Sequence, residues 1–140
     1  MLPPNVSAFL EAFSRWASTQ PDIEAVALVG SYARDEASES SDVDLVILTS
    51  SVDTYLRDLS WVSVFGEATE WRKEVYGRVT SVRALYESGL EVEYGFTTPD
   101  WAAAPIDAGT LRVVREGMKV VHDPQGVIGR MEWEIGSSGE

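Results

Sequence analysis

The sequence predicts an α/β domain of the α+β type, in which helices flank a mixed, mostly antiparallel and extended sheet. Three observations support this prediction. Apolar residues recur at helical spacing near the N-terminus, two short apolar runs lie within residues 24–48, and three stretches of alternating residue type follow Gly66. A length of 140 residues is typical of one domain. We therefore expect a single domain over residues 1–140, with its core at about 24–123.

The N-terminal half predicts two helices, two strands and one further helix start. Aromatic and apolar residues such as Phe9 and Phe13 recur at helical spacing over about 5–19, a stripe better explained by core packing than by a cofactor site. The run "EAVALVG" predicts a buried strand with a tight exit, and Ser31 then stands where a helix in "SYARDEA" would have its N-cap. "VDLVIL" predicts the second strand, followed by a helix at about 52–65.

The C-terminal half predicts three consecutive strands near 68–75, 78–86 and 90–97, joined by hairpins at Gly77 and Gly89. "TPDWAAAPI" is read as a loop or a short helix, 107–116 as a helix, "MKVVHD" as a short strand and 124–133 as a last helix. Core packing is expected for most of the tryptophans, including Trp16 and Trp61, and a place at the edge of a pocket or in a contact patch is the alternative for Trp101.

The charge balance limits the classes of partner. Eleven basic and 23 acidic residues give a net charge of −12. Because a phosphate backbone is bound mainly by Lys and Arg, this balance argues against a nucleic-acid partner. It suits a cationic small molecule or a basic protein, or serves only solubility. No apolar run approaches a membrane span of roughly 18 residues, and the N-terminus lacks signal-peptide features, so we expect a cytoplasmic protein without a membrane partner.

Two carboxylates at the start of the second strand form the first candidate site. Period-two geometry places Asp42 and Asp44 on one face of the strand, with Val43 and Leu45 on the other. Two like charges so close repel each other unless a cation lies between them. Mg²⁺ takes carboxylate and phosphate oxygens as ligands. The sequence therefore indicates a divalent-cation site at this strand.

Two further features support phosphate chemistry near these carboxylates. The Gly30-Ser31 turn offers backbone N–H groups at a predicted helix N-terminus, which suits a phosphate. Glu91 and Glu93 share one face of a later strand, so either is a candidate third carboxylate, although a solvated strand face would explain both equally well.

Other chemistries find little support. The chain has no G-x-S-x-G motif, no Walker A loop and no G-x-G-x-x-G fingerprint. The absence of cysteine excludes disulfides and thiolate ligands, and a single histidine, His122, disfavours a zinc site. We expect His122 to be structural or at the surface.

The stretch "GSYARDEASESSDVDLVIL" resembles the signature of the DNA polymerase β-like nucleotidyltransferase superfamily: Gly-Ser, a spacer with Arg, then Ser-Asp-x-Asp-Leu on a strand. The chain is most similar to the small stand-alone nucleotidyltransferase-domain proteins, and "YGRVTSVRALYESGLEVEYGFTTPDWAAAPIDAGT" resembles a stretch typical of one bacterial group among them. The resemblance covers about residues 24–123 and implies the polymerase β-like fold.

The resemblance also implies roles for individual residues. Asp42 and Asp44 would hold two Mg²⁺ ions, or Mn²⁺, and Glu93 would be the third ligand and a candidate base, with Glu91 as the alternative. The residues expected to bind the nucleotide are Gly30 and Ser31, which would hold the triphosphate, Arg34, which would bind phosphate or cap the helix, and Arg83 and Arg78, which would neutralise the triphosphate unless they are ordinary surface arginines.

The implied function is metal-dependent transfer of a nucleoside monophosphate, with AMP from ATP as the expected case, to a hydroxyl of a small molecule or protein, with release of pyrophosphate. Larger relatives add a helical domain that binds the acceptor, so here a helical toxin-like partner or a second copy of the chain would carry it. The alternative is a non-catalytic, antitoxin-like binding module that neutralises a partner protein. Convergence of Asp42, Asp44 and Glu93 at one point would favour the enzyme.

Overall fold

The structure is a computed structural model that describes residues 2–38, 41–76, 79–103 and 106–138. In chain order its elements are α1 (Pro4–Ser18), β1 (Ile23–Val29), β2 (Val43–Thr49), α2 (Val52–Arg57), a 3₁₀ helix (Ser60–Phe65), β3 (Ala68–Tyr76), β4 (Val79–Tyr86), β5 (Glu91–Thr97), a second 3₁₀ helix (Pro99–Ala102), α3 (Ala108–Glu116), β6 (Lys119–His122) and α4 (Val127–Ser138). The predicted order of helices and strands is confirmed for most of the chain.

The six strands form one sheet in the order β3-β4-β5-β2-β1-β6. Neighbouring strands pair antiparallel except for β2 and β5, which run parallel with Asp44 opposite Glu93. The mixed, mostly antiparallel sheet expected from the sequence is therefore confirmed. The parallel pair lies in the middle of the sheet, and it brings the two acidic strand segments side by side.

One face of the sheet, which we call the aromatic face, carries Val43, Leu45, Val82, Tyr94 and Phe96, all 2% exposed or less. Helix α1 and the first 3₁₀ helix pack on this face and contribute aromatic rings to its core. Phe13 is fully buried, with its ring centroid 5.6 Å from that of Tyr94. Trp61 meets the same tyrosine at 4.8 Å, edge to face. The predicted core role of the helical stripe is confirmed.

The opposite face is covered only in part. Ala25 and Ala27 of β1 and Val46 and Leu48 of β2 pack there against Trp101 and against Ile128 and Met131 of α4. These contacts cover the half of the face that lies towards the C-terminal end of β2. The other half, where β2 begins, carries polar side chains and remains accessible.

The helix predicted from Ser31 is wrong. Residues 31–35 form turns, in which the backbone N–H groups of Ala33 and Arg34 both donate to the carbonyl of Gly30 at 3.0 and 3.1 Å. Asp35 then takes a left-handed conformation with φ of 58°, which an α-helix cannot accommodate. The favourable dipole of a helix N-terminus is therefore absent here.

The helix predicted over 52–65 is interrupted. It divides into α2 and the first 3₁₀ helix because Asp58 is extended, with φ of −120° and ψ of 106°. The side chain of Asp58 accepts a hydrogen bond from the backbone N–H of Ser60 at 3.0 Å. Aspartate competes with helical hydrogen bonds in this way, and the competition explains the break.

The remaining differences are small. The last helix begins at Val127 rather than at 124, and it extends to Ser138. Gly77 and Arg78, at the predicted hairpin, lie outside the described residues. Trp16 packs against the core and Trp61 is 7% exposed, whereas Trp71 and Trp133 are exposed. Within the described residues, none of the helices combines the length and the hydropathy that crossing a membrane requires.

Candidate active site

A row of charged residues crosses the partly covered face of the sheet. The strand register places Arg72 opposite Arg83, Arg83 opposite Glu93, and Glu93 opposite Asp44. Four strands thus contribute one charged side chain each, on the face opposite to Tyr94. We call the face that carries Asp44, Ser81, Arg83 and Glu93 the acidic face.

Three carboxylates of this face converge. One carboxylate oxygen from each of Asp42, Asp44 and Glu93 lies within 4.8 Å of the other two, and all three residues are half-buried. Within the described residues, it is the one group of three acidic side chains that converges in this way. Three carboxylate oxygens form a donor set that fits a hard divalent cation such as Mg²⁺ or Mn²⁺ and not a soft one. The residues present therefore fit the metal that the sequence led us to expect.

Mutual repulsion and burial alter the ionisation of this group. Burial first, and then the negative charges of Asp42 and Glu93, raise the pKa of Asp44 to about 8. Burial likewise raises the pKa of Glu93, even though the charge of Arg83 opposes the shift. A raised carboxyl pKa means that the negative charge of the ionised form is not fully compensated by its surroundings. A bound cation would supply that charge.

Gly30 explains how Asp44 reaches its position. Gly30 follows β1 directly with φ of 77°, and a Cβ built on it would collide with the Oδ2 atom of Asp44. Glycine is therefore required for two reasons: the left-handed backbone and the carboxylate that packs against it. The Gly-Ser turn and the Asp-x-Asp strand form one structural unit.

The turn that follows Gly30 is held by ion pairs at its surface. Arg34 pairs with Glu36 at 2.9 Å, and Lys119 of β6 pairs with Asp35 at 3.1 Å. The hydrogen bond to Glu36 raises the pKa of Arg34, and the charges of Glu116 and Asp44 contribute in the same direction. Ser31 is half-buried at the start of this turn.

A cavity of about 510 Å³ opens beside the carboxylates. Its walls come from the Gly30 turn, the acidic face and α3, and they include Arg34, Gly95, Trp101, Thr110 and Glu116. Ligand pockets of enzymes commonly have volumes of roughly 300–1,000 Å³. Trp101 lines this cavity, at the pocket edge suggested by the sequence.

The structure distinguishes the two candidate glutamates. Glu93 belongs to the converging group, whereas Glu91 lies two residues earlier on the same face and binds Arg83 at 2.8 Å. The geometry therefore favours Glu93 as the third carboxylate. Arg83 itself lies among the acids and pairs with Asp42, Glu91, Glu93 and Glu74.

Sequence reasoning missed Glu74 and Gly95. Glu74 lies on the edge strand β3 and pairs with Arg83 at 3.4 Å. Gly95 lies two residues after Glu93, and a side chain there would collide with Val79 and with the carbonyl of Leu45. The alternation Arg-x-Glu in 72–74 was a signal that Glu74 shares a face with the basic residue, but the sequence does not show which strand lies next to it.

A family model described as "Nucleotidyltransferase domain" matches residues 6–87. The match spans more than half of the chain and includes the Gly-Ser turn and the Asp-x-Asp strand. The chain belongs to the nucleotidyltransferase domain family. This confirms the resemblance found in the sequence. No curated protein sequence matches the chain.

Solved nucleotidyltransferase structures share the fold. An aminoglycoside 6-adenyltransferase from Bacillus subtilis matches with a TM-score of 0.57 and 18% identity over 72% of this chain and 37% of its own. The apo form I of a CCA-adding enzyme matches with a TM-score of 0.53 and 12% identity, over 94% of this chain and 32% of its own.

Cid1 in complex with the UTP analogue UMPNPP has a TM-score of 0.52 and 16% identity, over 80% of this chain and 33% of its own. This nucleotidyltransferase-domain chain therefore spans about a third of the length of the structures it matches. At these identities the similarity establishes the fold, and each neighbour's substrates are its own.

Proposed function

We propose that the protein transfers a nucleoside monophosphate from an NTP, with ATP as the expected donor, to a hydroxyl of a small molecule or protein. The observation that carries this proposal is the convergence of Asp42, Asp44 and Glu93 within 4.8 Å, beside the Gly30 turn. It favours catalysis over the binding-module alternative, because a pure binder has no need of three carboxylates directed at one point.

The three carboxylates would hold two divalent cations, Mg²⁺ or Mn²⁺. Such cations neutralise the charge of a triphosphate and lower the pKa of a hydroxyl that is to act as a nucleophile. The protein itself fixes the ligand positions. β2 and β5 are central, hydrogen-bonded strands, and the packed aromatic face beneath them holds Asp44 and Glu93 in register.

The nucleotide would bind in the cavity beside the carboxylates. Gly30 and the positively charged Arg34 line this cavity, and Ser31, the next residue of the turn, would add its hydroxyl group. We include Arg83 as a phosphate contact in this proposal, on the condition that its guanidinium leaves at least some of the carboxylates that it binds in the free protein.

The reaction would be an in-line displacement. The acceptor oxygen forms a bond to the α-phosphorus while the bond from that phosphorus to the oxygen bridging to the β-phosphate breaks. Pyrophosphate leaves, and the hydroxyl proton passes to Glu93 or to solvent. Positioning and electrostatic stabilisation account for most of the catalysis in reactions of this type.

We propose that residues 1–140 act as one domain, and that a helical partner protein or a second copy of the chain contributes to acceptor binding. The acidic groups around the cavity, among them Asp107 and Glu116, favour an acceptor that carries positive charge.

Binding of nucleotides tests the donor site. ATP and the other NTPs are titrated calorimetrically into the wild-type protein with Mg²⁺ and with EDTA, and the titrations are repeated with Asp42→Asn and with Asp53→Asn, an exposed aspartate of α2 as the control. We expect Mg²⁺-dependent binding that Asp42→Asn removes and Asp53→Asn retains. Equal binding by Asp42→Asn would contradict the metal assignment.

Transfer is then measured with the NTP that binds, labelled at the α-phosphate. The acceptor panel contains aminoglycosides, an RNA oligonucleotide and a bacterial protein extract, and pyrophosphate release is followed in parallel. Label on a small molecule or protein supports the proposal. Label on the RNA alone would contradict the expectation that nucleic acid is not a partner.

A further inference from the structure

Arg83 is surrounded by carboxylates. Its Nη1 atom lies 2.5 Å from Oδ2 of Asp42 and 2.8 Å from Oε2 of Glu91, and its Nη2 atom lies 3.0 Å from Oε1 of Glu93. Its Nε atom is 3.4 Å from Oε1 of Glu74. One guanidinium thus contacts four acids, of which Glu91 and Glu93 share β5, and its side chain is only 23% exposed.

Two of these four acids also belong to the converging group. Asp42 and Glu93 each give Arg83 a hydrogen bond acceptor, and each also offers an oxygen to the candidate metal site. A carboxylate that is already paired with a guanidinium is a weaker ligand for a metal cation, because the positive charges of the guanidinium and the cation repel each other. Arg83 and a divalent cation therefore depend on the same negative charge.

Arg83 keeps its charge in this environment. Burial alone would lower the pKa of Arg83, but the hydrogen bonds to Glu91 and Asp42 and the charge of Glu93 outweigh it and raise the pKa. The neighbouring Arg72 is a poor substitute, because it is 68% exposed and pairs with Glu74 rather than with the converging acids.

We infer that Arg83 is the internal counter-ion of the acid cluster: it holds Asp42 and Glu93 together in the metal-free protein and competes with divalent cations for them. The inference rests on the proposed metal site. It assigns Arg83 as a positioning residue that sets how tightly the site binds its cation.

Loss of Arg83 should lower the stability of the metal-free protein and raise the affinity of the site for a divalent cation. Without the guanidinium, the acids repel one another, so the metal-free protein becomes less stable. The same unbalanced negative charge attracts a divalent cation more strongly. An arginine that only supported the fold would give a different result, because its loss would weaken both the metal-free protein and the metal site.

The experiment uses Mn²⁺ as the probe. Free Mn²⁺ is measured by its paramagnetic resonance signal during titration of the wild-type protein, Arg83→Gln, Arg83→Lys and the control Arg72→Gln. Thermal unfolding is recorded for each protein in EDTA. We expect Arg83→Gln to bind Mn²⁺ about tenfold more tightly than the wild type and to unfold at a lower temperature in EDTA, because it removes one positive charge near the ligands.

The two further variants sharpen the test. Arg83→Lys keeps a charge but loses the planar fork, so we expect changes in the same directions and of smaller size. It also serves if Arg83→Gln fails to fold. Arg72→Gln should match the wild type in Mn²⁺ affinity, since it removes an equal charge from the next strand without touching the ligands.

The outcomes separate this inference from the proposed function. Mn²⁺ binding by the wild type, with equal or weaker binding by both Arg83 variants, would overturn the counter-ion role and leave the metal site intact. An absence of Mn²⁺ binding in all four proteins would overturn the metal site itself, and the counter-ion role with it.

Discussion

The two faces of the central sheet are built from alternate residues of the same strands, yet they differ in nearly every property. In β5, Tyr94 is fully buried on the aromatic face, while Glu93 and Gly95 on either side of it point to the acidic face and line the cavity. The aromatic face is closed by α1 and the first 3₁₀ helix. The acidic face is covered only beyond Val46, and the carboxylates lie in the uncovered part.

This difference shows how a small chain separates stability from chemistry. Buried rings on one face fix the positions of the strands, so the other face can hold like charges close together at a cost in stability. The raised pKa of Asp44 is a sign of that cost. We therefore expect substitutions on the aromatic face to change mainly the free energy of unfolding, and substitutions on the acidic face to change mainly metal binding and transfer.

The largest expected effect is that of Asp44→Asn. The substitution keeps the shape of the side chain and removes a charge from the proposed metal ligands, so nucleotidyl transfer should fall by roughly 10³-fold or more. The fold should remain, because asparagine relieves the repulsion from Asp42 and Glu93. Transfer is measured with the acceptor found in the panel described above, and folding by circular dichroism. Wild-type transfer rates in this variant would contradict the assignment of metal binding and transfer to the acidic face.

The matching substitution on the aromatic face is Phe13→Ala. Phe13 is fully buried and contacts the rings of Trp16, Phe65 and Tyr94. Removal of a buried phenyl ring costs about 3–4 kcal/mol of unfolding free energy, measured by urea denaturation. The Mn²⁺ affinity of the folded protein should be unchanged.

The control for Phe13→Ala is Trp71→Ala. Trp71 lies on β3, opposite Ala84 of the aromatic face, but beyond the region that α1 covers, and it is 57% exposed. Its loss should cost less than about 1 kcal/mol. A loss as large as that of Phe13 would mean that β3 packs against another surface in solution.

A smaller effect is expected for Gly30→Ala, which connects the turn to the acidic face. Alanine is strained at φ of 77°, and its Cβ would displace the carboxylate of Asp44. We expect Mn²⁺ affinity to weaken by about tenfold and stability to fall by about 2 kcal/mol.

Gly89→Ala separates the two causes. Gly89 also has a positive φ, of 93°, but no atom lies within 4 Å of a Cβ built on it. It should lose stability through backbone strain and keep its Mn²⁺ affinity. If both glycine variants lost metal affinity equally, the contact between Gly30 and Asp44 would not be the cause.

Local patterns were sufficient to predict much of the aromatic face. The helical spacing of Phe9 and Phe13 and the apolar run of β2 are signals carried by neighbouring residues, and the structure confirms them. The errors have equally local causes. Ser31 is a good N-cap residue, but Asp35 with its left-handed backbone ends any helix there, and the Asp58 side chain interrupts the second helix.

The acidic face depends on register, which local patterns do not determine. Asp42 and Asp44 share a face because side chains alternate along a strand. Their proximity to Glu93 further requires that β5 lies parallel to β2 in this register. The sequence identified these residues through their resemblance to a family, without showing the pairing. The contacts of Arg83 with Glu74 and Glu91 depend on three strands at once, and so they became visible only in the structure.

The smallest expected effect is on the pH dependence of stability, which reports directly how much the acidic face destabilises the metal-free protein. The pKa of Asp44 is raised in the folded protein to about 8, above its ordinary value of 3.8. A group of this kind contributes stability that is fully present below its unfolded pKa and is lost as the pH rises through its folded pKa. The metal-free wild type should therefore lose stability relative to Asp44→Asn between pH 4 and pH 8.

Urea unfolding in EDTA at pH 5, 6, 7 and 8 measures this difference for both proteins. We expect the free energy of unfolding of the wild type to fall by about 1–2 kcal/mol relative to Asp44→Asn across the series, less than the full pKa shift implies because the carboxylates share protons and remain partly solvated. Parallel pH profiles would show that Asp44 carries no such cost. Addition of Mn²⁺ at pH 8 should restore the free energy of unfolding of the wild type and leave that of the variant unchanged. Only the wild type has the Asp44 carboxylate, whose negative charge the cation would compensate.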